Sequence, residues 1–203
     1  MPGVSTPTST AAATTGPQPD AGVRAARADD AEAVGAVHAA SWLGDYAMLL
    51  PHRAASVDPV ALAAAWGAAV TAPPTPRHRV MVATAGPTVV GFVAFGPSPD
   101  GDAGGGPDAG QGPDAELVAL LVEPSAQRRG HGSRLLNASV DVLRENGFAR
   151  VRVWVPEPDQ PRLAFLEAAG FARDGAGRVL DAAGDGTTTV REVRLSAGIP
   201  ADR

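Results

Sequence analysis

Gln127-Arg128-Arg129-Gly130-His131-Gly132-Ser133 gathers residue types that hold an anion without a metal. The segment follows an apolar run, Glu116 to Val122, and opens a helical pattern. The first turn of a helix presents N–H groups with no intrahelical acceptor, at the positive end of its dipole. Glycine lets backbone approach an anion closely. Strand, glycine loop and helix together can therefore cradle a pyrophosphate, and two arginines add cationic cover if they turn inward. The same glycines also suit an ordinary strand-to-helix turn, and the loop alone leaves both readings open. A dinucleotide site is excluded. It wants a third glycine where Leu135 stands, and an acidic residue at the end of the next strand, which here reads Trp154-Val155-Pro156.

Glu116 carries a carboxylate next to apolar neighbours. It opens the apolar run, and burial beside Leu117 and Val118 would make it a stronger base. A strand-end carboxylate that holds structure or water is the equal alternative. Glu123, beside the loop, reads as structural. His38, His52, His78 and His131 show no ligand spacing, so no metal is expected. No Gly-x-Ser-x-Gly occurs, and nothing local suggests a Ser–His–Asp triad.

Composition narrows the chemistry further. The chain has 203 residues, no cysteine, and 17 cationic side chains that are all arginine. Without lysine there is no P-loop nucleotide site and no Schiff base. Without cysteine there is no disulfide, thiolate nucleophile or iron–sulfur cluster. Net charge is −5 with no basic stripe, which argues against nucleic acid as a partner. No apolar run approaches a membrane span, and the expected location is the cytoplasm. Large apolar residues are few, so they should mark the core.

These residues need elements to position them. Residues 1–20, rich in Thr, Ala, Pro and Gly, read as a disordered tail. A strand is expected at Val23–Arg27, then a helix capped by Asp29 or Asp30 and running through Val34, Val37, Trp42 and Tyr46 to Leu49-Leu50, where Pro51 stops it. A second helix spans Pro59 to Val70, with Leu62, Trp66 and Val70 on one face. Strands at 80–84 and 89–95 form a hairpin. Residues 96–114 read as a mobile low-complexity loop, a lid or a tolerated insertion. A central strand over Glu116–Val122 lacks strict alternation, as suits burial on both faces. Then come a helix from Gly130 to Asn146, a strand over Arg150–Val155 broken by Pro156 and Pro158, and a helix capped by Asp159 and ended by Gly170. A final β region holds Phe171-Ala172, Val179-Leu180 and Val190–Leu195 around a loop from Asp181 to Thr189, with 198–203 as a tail. The order β-α-α-β-β-β-α-β-α-β-β predicts an α/β domain on a mixed sheet.

Three motifs in order resemble one family. Gln127-Arg128-Arg129-Gly130-His131-Gly132 is similar to the (Gln/Arg)-x-x-Gly-x-(Gly/Ala) acetyl-CoA loop of the GNAT superfamily of acyl-CoA-dependent N-acetyltransferases. Glu116–Pro124 resembles its central strand. Trp154-Val155 through Asp159, Arg162, Phe165 and Gly170-Phe171 resembles its strand and helix with the pattern Asn-x-x-Ala-x-x-Phe-Tyr-x-x-x-Gly-Phe. Upstream, Ser41-Trp42, Tyr46 and Leu49-Leu50-Pro51 resemble a segment of bacterial members. The similarity spans residues 23 to about 195.

The resemblance implies the GNAT fold: a mixed, mostly antiparallel sheet of six or seven strands, about four helices, and two central strands that splay apart, here Glu116–Val122 and Arg150–Val155. It implies acetyl-CoA or another acyl-CoA as co-substrate, held by Leu121, Val122, Gln127, Arg128, Arg129, Gly130, His131, Gly132, Ser133, Asp159 and Phe165. It implies transfer of an acetyl group to a primary amine of a small molecule or protein by direct attack in a ternary complex, by a monomer or homodimer. Glu116 would act as base. The acceptor would meet Trp42, Tyr46 and Trp154. The chain departs from the pattern at Leu166, where the family usually has the Tyr that serves as general acid, and at Asp159, where Asn is common. Tyr46 is the only tyrosine left for that role. The departure keeps a second reading open, an acyl-CoA-binding module with little or no transfer.

Overall fold

The computed structural model describes residues 21–46, 57–99, 112–181 and 189–200. Its elements are β1 (Ala21–Ala25), α1 (Ala31–Ser41), α2 (Pro59–Thr71), β2 (Arg79–Ala85), β3 (Thr88–Pro97), β4 (Asp114–Val122), α3 (His131–Glu145), β5 (Arg150–Pro156), α4 (Gln160–Ala168), β6 (Ala172–Asp181) and β7 (Thr189–Gly198). This is the expected order. The seven strands form one sheet, β1-β2-β3-β4-β5-β7-β6. Only β4 and β5 pair in parallel.

Each face of the sheet buries its own core. Leu135, Leu136 and Leu143 of α3 and Leu163 and Leu166 of α4 pack on Val93, Leu117, Val151, Val153 and Leu195. On the other face Val34 and Val37 of α1, with Trp66 and Val70 of α2, cover Val82, Phe92, Ala94, Ala119 and Leu121. Burying each large apolar side chain stabilises the fold by about 1.5–3 kcal/mol. The two helices on the second face press closely together. A Cβ on Gly35 would stand 2.6 Å from the Ala63 backbone nitrogen, so only glycine permits this approach. Over β5, β7 and β6 a cleft is lined by Trp154, Leu180 and Val190 together with Arg178 and Glu192.

Several boundaries differ from the sequence reading. The α-helical pattern stops at Ser41 and widens into a π-type turn over Trp42–Tyr46. Asp30 does not cap α1 in the expected way. Its carboxylate turns back to accept from the Arg27 N–H (2.7 Å) and from the Arg24 guanidinium (2.6 and 2.8 Å). Asp159 does cap its helix, accepting from the Arg162 N–H at 3.1 Å. Pro156 ends β5 rather than breaking it, opposite Glu192. The Glu157 N–H points toward β7, so the Pro156 nitrogen faces the side where no strand pairs and its missing donor costs nothing. The loop expected at 96–114 is shorter, because Gly96 pairs with Glu116 and Pro97 with Ala115 in the ladder. Composition cannot reveal such pairing. At the other end β7 reaches Gly198, and Ile199 is buried.

The tail at 1–20, the segment Leu49-Leu50-Pro51 with His52, residues 100–111 of the expected loop, 182–188 and 201–203 lie outside the described residues. Among those described, no helix is long and apolar enough to cross a membrane. No group of three or more His, Asp or Glu side chains there could hold a metal ion.

Candidate functional site

The site begins where two parallel strands part. β4 and β5 pair only from Asp114 opposite Arg150 to Leu117 opposite Val153. β5 continues against β7, while β4 continues against β3 to Val122. Among the described residues, Val118–Val122 therefore has no strand on its β5 side. A cleft of about 290 Å³ occupies this gap. Glu116 to Ala119 and Leu121 form its floor, His38, Trp42 and Trp66 one wall, and Trp154, Pro156, Arg162, Arg178 and Glu192 the other.

A bulge decides which side chains face the cleft. Phe95 pairs with Leu117 but Ala94 pairs with Ala119, which leaves Val118 as an extra residue, 66% exposed. Leu117 stays with the α3 core, and Ala119 joins the α1 and α2 core. This phase change explains the broken alternation of the run. It also places Glu116 on the same face as Ala119 and Leu121. Across the strand pair from Glu116 stands Arg152, not hydrocarbon as the sequence suggested. Arg152 is 1% exposed and forms an ion pair with Asp114, which is also buried.

The 127–133 segment has a backbone that could cradle an anion. Arg128 and Gly130 both have left-handed backbone, φ 62° and 80°. Gly130 takes this shape without strain, whereas a side chain there would resist it. The first helical bond of α3 runs from the Arg134 N–H to the Gly130 carbonyl (3.1 Å). The N–H groups of His131, Gly132 and Ser133 precede that bond, so they open outward at the helix start. Arg134 donates to the Arg129 carbonyl at 3.3 and 3.4 Å. Gln127 Nε2 donates to the Val122 carbonyl at 3.3 Å, tying the cradle to the end of β4. A Cβ on Gly132 would meet the Phe165 ring at 3.6 Å and Val122 at 3.8 Å. His131 is buried in the first turn, and its Nδ1 has no hydrogen-bond partner. Burial pulls its pKa down, and the Arg134 and Arg129 charges pull the same way. A polyanion would be met here by amides and arginines together.

The walls are aromatic and charged. Arg178 lies over the Trp154 ring at 4.3 Å and pairs with Glu192 at 2.6 Å. Arg194 lies over the same ring at 5.4 Å and pairs with Asp174 at 2.8 Å. On the opposite wall, both ring nitrogens of His38 face indole nitrogens, Trp42 at 2.6 Å and Trp66 at 3.0 Å. Burial pulls the His38 pKa down.

Of the residues expected from sequence, Glu116, Leu121, Trp42 and Trp154 line the cleft, and Gln127 to Ser133, Val122 and Phe165 meet at the cradle. Asp159 spends its carboxylate on the cap of α4. Leu166 is buried in the α4 core and presents nothing to the cleft. The Tyr46 side chain lies outside the described residues. Sequence reading weighed His38 only as a metal ligand and Trp66 as a packing residue, and it passed over Arg178 and Glu192. The spacing of four between His38 and Trp42 puts them on one helical face and could have flagged that pair. The pairing of Arg178 with Glu192 depends on a hairpin register with an irregularity between Arg173 and Gly177, which no local pattern announces.

Comparison with known proteins bears on the fold and the family. A mycothiol acetyltransferase of Clavibacter sepedonicus is 42% identical over 69 residues, which are 34% of this chain and 21% of that protein. The match thus spans about a fifth of that curated relative. An N-acetyltransferase from Staphylococcus aureus Mu50 superposes with a TM-score of 0.66 at 14% identity, covering 89% of this chain and 99% of the other. The PaiA N-acetyltransferase of Thermoplasma acidophilum, solved with coenzyme A, superposes with a TM-score of 0.60 at 16% identity, covering 88% and 99%. At such identity the structures establish a shared fold. The family model described as the acetyltransferase (GNAT) family matches residues 49–171, more than half of the sequence, and the chain belongs to that family.

Proposed function

We propose that the protein transfers an acetyl group from acetyl-CoA to a primary amine by direct attack, in the cleft between β4 and β5. The observation that carries this reading is the parting of two parallel strands beside an amide-lined helix start. The N–H groups of His131, Gly132 and Ser133, with Arg128 and Arg129, would hold the pyrophosphate. The open edge of Val118–Val122 would pair with the pantetheine amides as an added strand would. Gly132 and Phe165 leave room beside that path. The solved relative with coenzyme A supports a place for such a molecule in this fold.

Acetyl-CoA supplies the acetyl group as an activated thioester. The amine nitrogen forms a bond to the carbonyl carbon, the carbon–sulfur bond breaks, and the amine loses one proton while the thiolate gains one. Glu116, which lines the cleft floor, would accept the amine proton. Leu166 cannot return a proton to sulfur, and its burial favours the second reading, a binding module with slow transfer. Calorimetry with CoA, followed by a thiol-release assay across an amine panel, separates the two. Binding with amine-dependent release supports the enzyme. Binding without release on any amine supports the module. Absence of CoA binding removes both.

A further inference from the structure

His38 poses a proton-counting problem. Its Nε2 lies 2.6 Å from the indole nitrogen of Trp42, and its Nδ1 lies 3.0 Å from that of Trp66. An indole nitrogen only donates, and a neutral imidazole has one accepting nitrogen because the other carries its proton. The two contacts therefore cannot both be hydrogen bonds at the same time. A charged imidazolium would accept neither. The shorter contact assigns the lone pair to Nε2, for Trp42. The Nδ1–H then faces the Trp66 N–H, donor against donor.

The rings are packed closely, and a tilt of the Trp66 indole away from Nδ1 would turn its N–H toward the cleft. The His38 ring sits among Trp42, Trp66 and Phe92, with centroids 6.2, 5.8 and 6.0 Å away, and the Trp66 ring meets Phe92 edge-on at 4.7 Å. α1 and α2 are locked together at Gly35 and Ala63. Trp66 lines the cleft, and its N–H, aimed at Nδ1, has no acceptor there once Nδ1 carries the proton. The acceptors among the other cleft side chains are two carboxylates, Glu192 and Glu116, the second assigned above to the amine proton. Glu192 is engaged by Arg178, and Arg162 and Arg178 are themselves donors.

We propose that this end of the cleft selects an amine that also carries a hydrogen-bond-accepting oxygen, a carbonyl or hydroxyl, which takes the Trp66 N–H. His38 and Trp66 are then specificity residues of the acceptor site. The proposal rests on the acyl-transfer reading for its assignment of the cleft to the acceptor. A protonated alkyl diamine is donor-only and finds no match at Trp66. Recognition of such a cation by the tryptophan faces instead would be the opposite result.

The full chain labelled with nitrogen-15 provides the test, because its three tryptophans give three indole N–H signals. Trp66→Phe identifies one of them. Titration with L-serinamide should move the Trp66 signal downfield and saturate, while 1,4-diaminobutane should leave it in place. A Trp66 signal unmoved by serinamide, or moved equally by both amines, overturns the proposal. His38→Gln is a second variant. Its amide oxygen has two lone pairs and can serve both indoles, so the Trp66 signal should start downfield and lose its response to serinamide. In turnover, Trp66→Phe should raise KM for serinamide about tenfold with kcat little changed. An equal loss of kcat on all amines would show a structural role and overturn it. CoA affinity is measured separately by calorimetry. If CoA does not bind, the acyl-transfer reading falls, and the indole signals still decide what the cleft recognises.

Discussion

Leu117 and Ala119 lie two residues apart in β4 and bury against opposite faces of the sheet. The bulged Val118 between them makes this possible. Its effect is to turn Glu116 toward the cleft while the following residues keep their place under α1. Deleting Val118 should restore simple alternation and drive either the Asp114–Leu117 half or the Ala119–Val122 half to the wrong face. The expected outcome is loss of cooperative unfolding, read by circular dichroism. Val118→Ala keeps the extra residue and should change stability by no more than about 0.5 kcal/mol.

Asp114 and Arg152 form a buried ion pair at the point where β4 and β5 still touch. Removing one partner leaves a buried charge. Asp114→Asn or Arg152→Met alone should cost about 3–5 kcal/mol, measured by urea unfolding. The double replacement Asp114→Asn with Arg152→Met should be milder than the sum. A double variant as unstable as both singles added would show that the pair does not act as a unit.

Glu116→Gln isolates the proposed base. With Glu116 accepting the proton, the transfer rate should fall roughly 10²–10⁴-fold and its pH profile should shift, with the melting temperature little changed. A rate and profile equal to those of the parent protein would remove Glu116 from the chemistry.

Gly130→Val tests the cradle. A branched side chain at φ 80° costs about 1–2 kcal/mol, enough to lower the melting temperature by a few degrees in a chain of this size. CoA affinity should fall more than tenfold because the loop amides lose their alignment. Unchanged affinity would mean that the segment is only a turn.

Acid should destabilise this protein through three groups. The pKa values of His38 and His131 are pulled below the ordinary 6.5, both by burial first. Each histidine binds its proton more readily in the unfolded chain, so stability is intact above about 6.5 and is lost as pH falls below it. Asp30 is held below its ordinary 3.8 mainly by the hydrogen bond from Arg24, and its contribution is lost at still lower pH. Melting temperature should fall between neutral pH and about pH 5, and His38→Gln should flatten part of that slope. A melting temperature that rises on acidification in this range would contradict the burial of both rings.

The order of strands and helices was legible in the chain because hydrophobic period and turn residues are local properties. Gly130, the Asp159 cap and the strand–loop–helix junction were readable for the same reason. Glu116 became a candidate through the family resemblance, which its offset from the loop carries. The π-type turn at Trp42, the true ends of β3 and β4, and the shape of the cleft walls were not readable. They depend on which residues meet across long sequence separations. Ser41 approaches the Val122 carbonyl, His38 meets Trp66 from another helix, and Arg178 meets Glu192 through an irregular hairpin. The sequence by itself determined the elements, the family resemblance and the glycine loop that opens α3, all set by neighbours in the chain. Only the tertiary structure decided the phase of β4, the partner of Arg152 and the donor-rich wall at His38, because a bulge and a helix contact exist only once distant segments pack together.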